Sequence, residues 1–107
     1  MGLVNSGGDV SEEFFAAPAF KPGEALVQLR RSLRDLRVLN ERGDGFALKG
    51  RDVVALQVDE AVVLARLVKR PATTPEWDSF RLAATTDVRR FVDEAKRRVA
   101  RWVEAER

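Results

Sequence analysis

Arginine stands at positions 30, 34 and 37, spacings of four and three, with Arg31 beside the first. On a helix these spacings align Arg30, Arg31, Arg34 and Arg37 along one side, over about 10 Å at a rise of about 1.5 Å per residue. Forked guanidinium groups suit phosphate oxygens, so the stripe is a candidate nucleic-acid-binding surface whose affinity would fall steeply with salt. The plainer reading is a solvated helix face: Asp35 and Glu41 partly neutralise the stripe, and no aromatic residue is interleaved for base stacking.

A second cluster, Arg70, Thr73, Glu76 and Trp77, falls in a polar stretch punctuated by Pro71 and Pro75. Tryptophan and arginine dominate interface hot spots, so these four residues form a candidate protein-binding loop. In the competing reading Trp77 closes the end of a sheet and packs against Trp102 or Phe91. A third basic run, Arg89 to Arg101, carries its own counter-charges. Arg89 with Asp93, Arg90 with Glu94, Asp93 with Arg97 and Glu94 with Arg98 all stand four apart, as on a self-supporting, solvated helix.

The inventory excludes most familiar catalysis. The 107 residues include no His and no Cys, which removes imidazole and thiolate metal sites, Cys nucleophiles and His-based triads. Ser32, Ser79 and the carboxylates Asp44, Asp52, Asp59, Glu60 and Asp78 form no spaced motif, and the glycines at 43, 45 and 50 are explained by tight turns rather than by a phosphate-binding loop. Two carboxylates that meet only in the fold would still allow acid–base chemistry. The expectation is a protein that is not an enzyme and uses no cofactor or metal.

The elements that must position these groups follow from periodicity. Pro22 suits the first position of a helix, and Leu26, Leu29, Leu33 and Leu36 form one apolar seam opposite the arginines. From 46 to 70 short runs of Val, Leu, Ala and Phe are separated by Gly50-Arg51-Asp52 and Asp59-Glu60, the pattern of antiparallel strands rather than of one long helix. Arg37 to Glu41 either extends the helix or, the favoured reading, forms a first strand turned through 42–45 onto Phe46 to Leu48. Phe46, Leu48, Val54, Leu56 and Val58 share one face, and Val53, Ala55 and Gln57 the other. Val62 to Val68 is apolar on both faces, with Arg66 the one charge. Thr74-Pro75-Glu76 reads as one helical turn, and Ser79 to Ala83 as a short edge strand with Phe80 and Leu82 inward. Thr85 or Thr86 caps a long final helix with Val88, Phe91, Val92, Ala95, Val99, Trp102 and Val103 on one side.

The fold class is therefore α+β: an antiparallel meander of three to five strands flanked by an N-terminal helix and a long C-terminal amphipathic helix. Residues 1–21, with Gly2, Gly7, Gly8 and the acids Asp9, Glu12 and Glu13, are expected to form a flexible tail, and 22–107 a single domain. In that tail Phe14 and Phe15 are potential anchors, either in a partner's groove or, with Phe20, folded back onto this domain's own core. Met1 to Ser6 also fits the permissive myristoylation pattern. Absence of a signal peptide favours a cytoplasmic location; the lack of cysteine is compatible with it but sets no compartment alone, and no stretch is apolar enough for a membrane span. Net charge is +2, from 19 basic against 17 acidic residues, which is not in itself a nucleic-acid signature.

In element order the chain resembles double-stranded-RNA-binding domains, although Thr86-Asp87-Val88-Arg89 stands where those carry a lysine-rich motif. It is also similar in order, from Val53 onward, to dimeric single-strand-binding transcriptional coactivators, without their aromatic and lysine-rich binding strands. These likenesses are topological only. The doubly apolar strand is the stronger signal: if helices cover one face of the sheet, the other needs a partner. The expectation is a non-catalytic interaction module, a homodimer or binder of another protein, with nucleic-acid binding through the arginine stripe as the alternative.

Overall fold

The computed structural model describes residues 20–105; the expectations placed on Phe14, Phe15 and the first six residues lie outside them. Helix α1 (Pro22–Arg34) begins with proline at its first position and Glu24 in its first turn, where the missing N–H and the negative charge both suit the positive end of the helix dipole. Its seam behaves as the spacing requires: Leu29 and Leu33 are fully buried, with Leu26 and Leu36 half-buried beside them. Phe20, just ahead of α1, also packs against the core.

Five strands follow, β1 (Asn40–Arg42), β2 (Gly45–Leu48), β3 (Arg51–Asp59), β4 (Val62–Val68) and β5 (Trp77–Leu82), paired antiparallel in sequence order. The first strand is shorter than expected, because α1 gives way to turns that carry the chain from Asp35 to Leu39. Lys49 and Gly50 both have positive φ, 52° and 85°, as a two-residue turn between Leu48 and Arg51 demands. Glu60 also has positive φ, 56°, in the turn between Asp59 and Val62. Val53 is an extra residue against β2, since Phe46 faces Val54 and Ala47 faces Asp52. Beside this bulge Gly45 is required by contact, for a Cβ there would lie 1.8 Å from the Val54 carbonyl oxygen.

Helix α2 (Thr85–Ala105) closes the chain. Both threonines lie inside it rather than capping it from outside, and Asp87 turns back to accept a hydrogen bond from the Ala83 N–H at 2.9 Å. Both helices lie on one face of the sheet. Val63, Ala65 and Leu67 of β4 are fully buried there, with Val54 and Leu56 beside them. Phe91 of α2 meets Phe80 of β5 edge to face, ring centroids 5.1 Å apart. The result is two layers, helices over a five-stranded meander, within the α+β class.

Candidate functional site

Alternation along residues 54–59 of β3, past the bulge, and along β4 and β5 sends a second set of side chains to the face without helices. Across the ladders Ala55 stands opposite Arg66, Gln57 opposite Leu64, Leu64 opposite Arg81, Arg66 opposite Ser79, and Val68 opposite Trp77. Ala55 and Leu64 are half-buried, whereas Gln57, Arg66, Ser79 and Arg81 are exposed. The Arg66 guanidinium lies 5.3 Å from the Trp77 ring centroid, within cation–π range across the diagonal of the ladder. Among the described residues neither Arg66 nor Arg81 has a carboxylate partner. This face thus presents an apolar floor, one aromatic plane and two uncompensated guanidinium groups.

One end of the face is closed. Val68, which points away from the helices, is fully buried opposite Trp77. Arg51 reaches from the start of β3 to donate to Thr73 Oγ1 at 3.4 Å, which holds the 69–76 connection over that end. Part of the apolar character of β4 is therefore satisfied within the chain, by its own loop and by Trp77. What remains for a partner is the stretch around Leu64, Arg66, Ser79 and Arg81.

The four residues expected to form a binding loop do not act together. The turn at 74–76 is not helical, because the Lys69 N–H donates to the Glu76 carbonyl at 2.9 Å and so extends the β4–β5 ladder by one step. Trp77 consequently opens β5 instead of sitting in a loop, and it lies on the face away from Phe91, not against it. Thr73 is held by Arg51, Glu76 contributes its carbonyl to the ladder, and Arg70 is exposed. Of that cluster only Trp77 joins the open face, and its neighbour there is Arg66.

The arginine stripe is also divided. Arg30 Nη1 and Arg34 Nε each lie 3.1 Å from a carboxylate oxygen of Glu41, on β1. Hydrogen bonds from Arg34 and then Arg30 hold the Glu41 carboxyl below its ordinary range. Helix α1 ends at Arg34, so Arg37 lies in the following turn and only Arg31 stays on the helix as an exposed cation without a carboxylate. The stripe is mainly a brace between α1 and the sheet edge.

A further charge network was invisible to local spacing. Asp78 receives Lys69 Nζ at 2.7 Å and Arg98 Nη1 at 2.9 Å, and Arg98 Nε reaches Glu94 at 2.7 Å. Arg98 Nη1 also donates to the Val68 carbonyl. Of the expected pairs on α2, Glu94 with Arg98 is formed; Arg97 turns to Glu94, three residues back, rather than to Asp93. Hydrogen bonds from Lys69 and Arg98 lower the Asp78 pKa, and those from Arg98 and Arg97 lower that of Glu94. These carboxylates are held as anions by cations on the sheet and on α2, which makes them structural ties.

Among the described residues no group of three Asp or Glu is placed to hold a metal ion, and no helix is long and apolar enough to cross a membrane. Compared with known proteins, the chain matches no family model, no curated protein and no solved structure.

Proposed function

We propose that this chain is a small non-catalytic interaction module that self-associates through the uncovered face of its sheet. The observation that carries this reading is the pairing of Arg66 with Trp77 beside half-buried Leu64, on a face that neither helix covers. Arginine and tryptophan contribute most when water is driven off them, and Leu64 and Ala55 give the apolar floor that such a contact needs. A two-fold contact is the economical solution for one such face, because the same patch then serves both copies.

Dilution tests this directly. Amide spectra recorded from high to low micromolar concentration should shift at Ala55, Gln57, Leu64, Arg66, Ser79 and Arg81, while Leu29, Leu33 and Val99 stay fixed. Shifts confined to the helices, or none at all, would refute it.

The same observation also favours a second reading, nucleic-acid binding, on a different surface from the arginine stripe. Trp77 supplies one stacking plane, and Arg66 and Arg81 are cations without carboxylate partners, whereas two arginines of the stripe are already neutralised by Glu41. Salt-dependent binding of a single-stranded oligonucleotide, abolished by Arg66→Ala with Arg81→Ala and insensitive to Arg31→Ala, would support it over self-association.

A further inference from the structure

The sheet has two edges, and only one is blunted. At β1 the edge is three residues long, and Arg42 is tied to Asp52 at 3.2 Å and to the Gly50 carbonyl at 3.0 Å. At β5 it is six residues long, Trp77–Leu82, with no proline and no break in its register against β4. Proteins usually blunt such edges with proline, a bulge or shortness, because a long regular edge is a template for a further strand. The bond from the Lys69 N–H to the Glu76 carbonyl makes 69 and 76 a hydrogen-bonded pair, so by alternation Asp78, Phe80 and Leu82 turn their backbone groups to β4. Trp77, Ser79 and Arg81 therefore aim theirs outward, three N–H donors and three carbonyl acceptors. Among the described residues no strand or loop backbone pairs with them, and Ser79 at the centre is exposed.

Charge decides what such a strand would carry. Phe91 and Arg98 of α2 meet Phe80 and Asp78 of β5, so the side of α2 that carries Arg98 lies towards this edge. At about 3.6 residues per turn, Arg90, Arg97 and Arg101 share that side with Glu94 and Arg98. The carboxylates here are already engaged: Asp78 by Lys69 and Arg98, Glu94 by Arg97 and Arg98, and Asp87 by the Ala83 N–H. Arg90 and Arg101 are exposed and form no ion pair among the described residues, and neither does Arg81 on β5 itself. A second β5 is a poor occupant, because pairing two copies about a two-fold axis sets these arginine-bearing sides of α2 against each other. We propose that the β5 edge binds an extended acidic segment of another protein by strand addition. Its backbone pairs with Trp77, Ser79 and Arg81, and its alternate carboxylates face Arg90 and Arg101 of α2. The intervening side chains of the added strand lie on the other side of the sheet, where Trp77 offers an apolar plane. This site is separate from the open face and does not rest on self-association.

Amide hydrogen exchange of the dilute full chain reads the pairing directly, because an added strand protects alternate residues. Without peptide, Trp77, Ser79 and Arg81 should exchange fast beside protected Phe80 and Leu82. A synthetic peptide of alternating glutamate and valine, about as long as β5, should slow exchange at Trp77, Ser79 and Arg81 several-fold. A peptide of alternating lysine and valine should not, nor should the glutamate peptide with N-methyl groups on the amides that would pair with β5. Arg90→Glu/Arg101→Glu should weaken binding of the glutamate peptide several-fold, as should added salt, while the free protein keeps its exchange pattern, since both positions are exposed. Exchange at the three residues that no soluble concentration of the glutamate peptide alters would overturn the proposal. So would equal protection by the lysine peptide, or peptide-induced shifts at Ala55, Gln57 and Leu64 alone, which place the peptide on the open face. Slow exchange at the three residues in dilute protein without peptide means that the edge is already covered. Slowing that grows with protein concentration in Arg66→Ala/Trp77→Ala, whose open face no longer associates, means that a second copy holds the edge, and either result also overturns it.

Discussion

The Arg66 guanidinium stands over the Trp77 ring at 5.3 Å, joining the centre of β4 to the first residue of β5 on the face away from both helices. At a solvent-exposed site such a contact contributes about 0.5–1 kcal/mol. Arg66→Ala should lower stability by that amount at protein concentrations too low for association, and the loss should vanish in a Trp77→Ala background. Urea titrations of the four proteins of this cycle measure it. The two tryptophans are distinguishable, because Trp102 is buried and Trp77 only half-buried, so Arg66→Ala should alter the emission of Trp77 alone.

Three carboxylates contribute stability that is lost in acid. Glu41, Asp78 and Glu94 are all lowered from their ordinary values of 4.5, 3.8 and 4.5 by hydrogen bonds from arginine or lysine. A carboxyl with a depressed folded-state pKa stabilises the fold fully above its unfolded value and loses that contribution as pH falls through the folded one. Stability should therefore be flat through neutral pH, where no histidine titrates, and decline below about 4.5 as these groups take up protons. Glu41→Gln should remove part of that acid-side slope. Urea midpoints measured from neutral pH down to pH 2 would show it.

Gly45 and Gly23 separate a glycine required by contact from one that is merely tolerated. A Cβ at 45 collides with the backbone oxygen of Val54, which the β2–β3 ladder holds in place, whereas nothing lies within 4 Å of a Cβ at 23. Gly45→Ala should cost about 3 kcal/mol or more. Gly23→Ala, inside α1, should gain up to about 1 kcal/mol. Thermal or urea unfolding of the two variants checks the difference in sign.

Glu60 holds a left-handed conformation, φ 56°, that L-residues adopt at a cost. Glu60→Gly should relieve it and gain up to about 1 kcal/mol, reduced by the greater freedom of glycine in the unfolded chain. Equilibrium unfolding decides between gain and loss.

The meander is legible because short apolar runs are separated by Gly50-Arg51-Asp52 and Asp59-Glu60, and Leu26, Leu29, Leu33 and Leu36 announce the buried seam of α1. Trp77 was misplaced because Pro71 and Pro75 signal a loop so strongly. Nothing local reveals that the Lys69–Glu76 hydrogen bond resumes the ladder at the residue directly after the second proline. Arg66 is the one charge in an apolar strand, and its significance lies in a diagonal neighbour, Trp77, eleven residues away in sequence. Glu41 is visible in the sequence as a counter-charge to the stripe, but not that it braces Arg30 and Arg34 from β1, and Asp78 meeting Arg98 is hidden for the same reason. Helical spacing exposes partners three or four residues apart, but partners on different elements meet only once the layers have packed.

Self-association through the open face is tested most directly by sedimentation equilibrium of the full chain at high micromolar concentration. The account predicts a mass approaching twice the 12.0 kDa of one chain, reverting to a single chain in Arg66→Ala/Trp77→Ala while the circular dichroism of the fold is retained. A strict 12.0 kDa monomer across the whole concentration range, or a dimer indifferent to that double substitution, would contradict it.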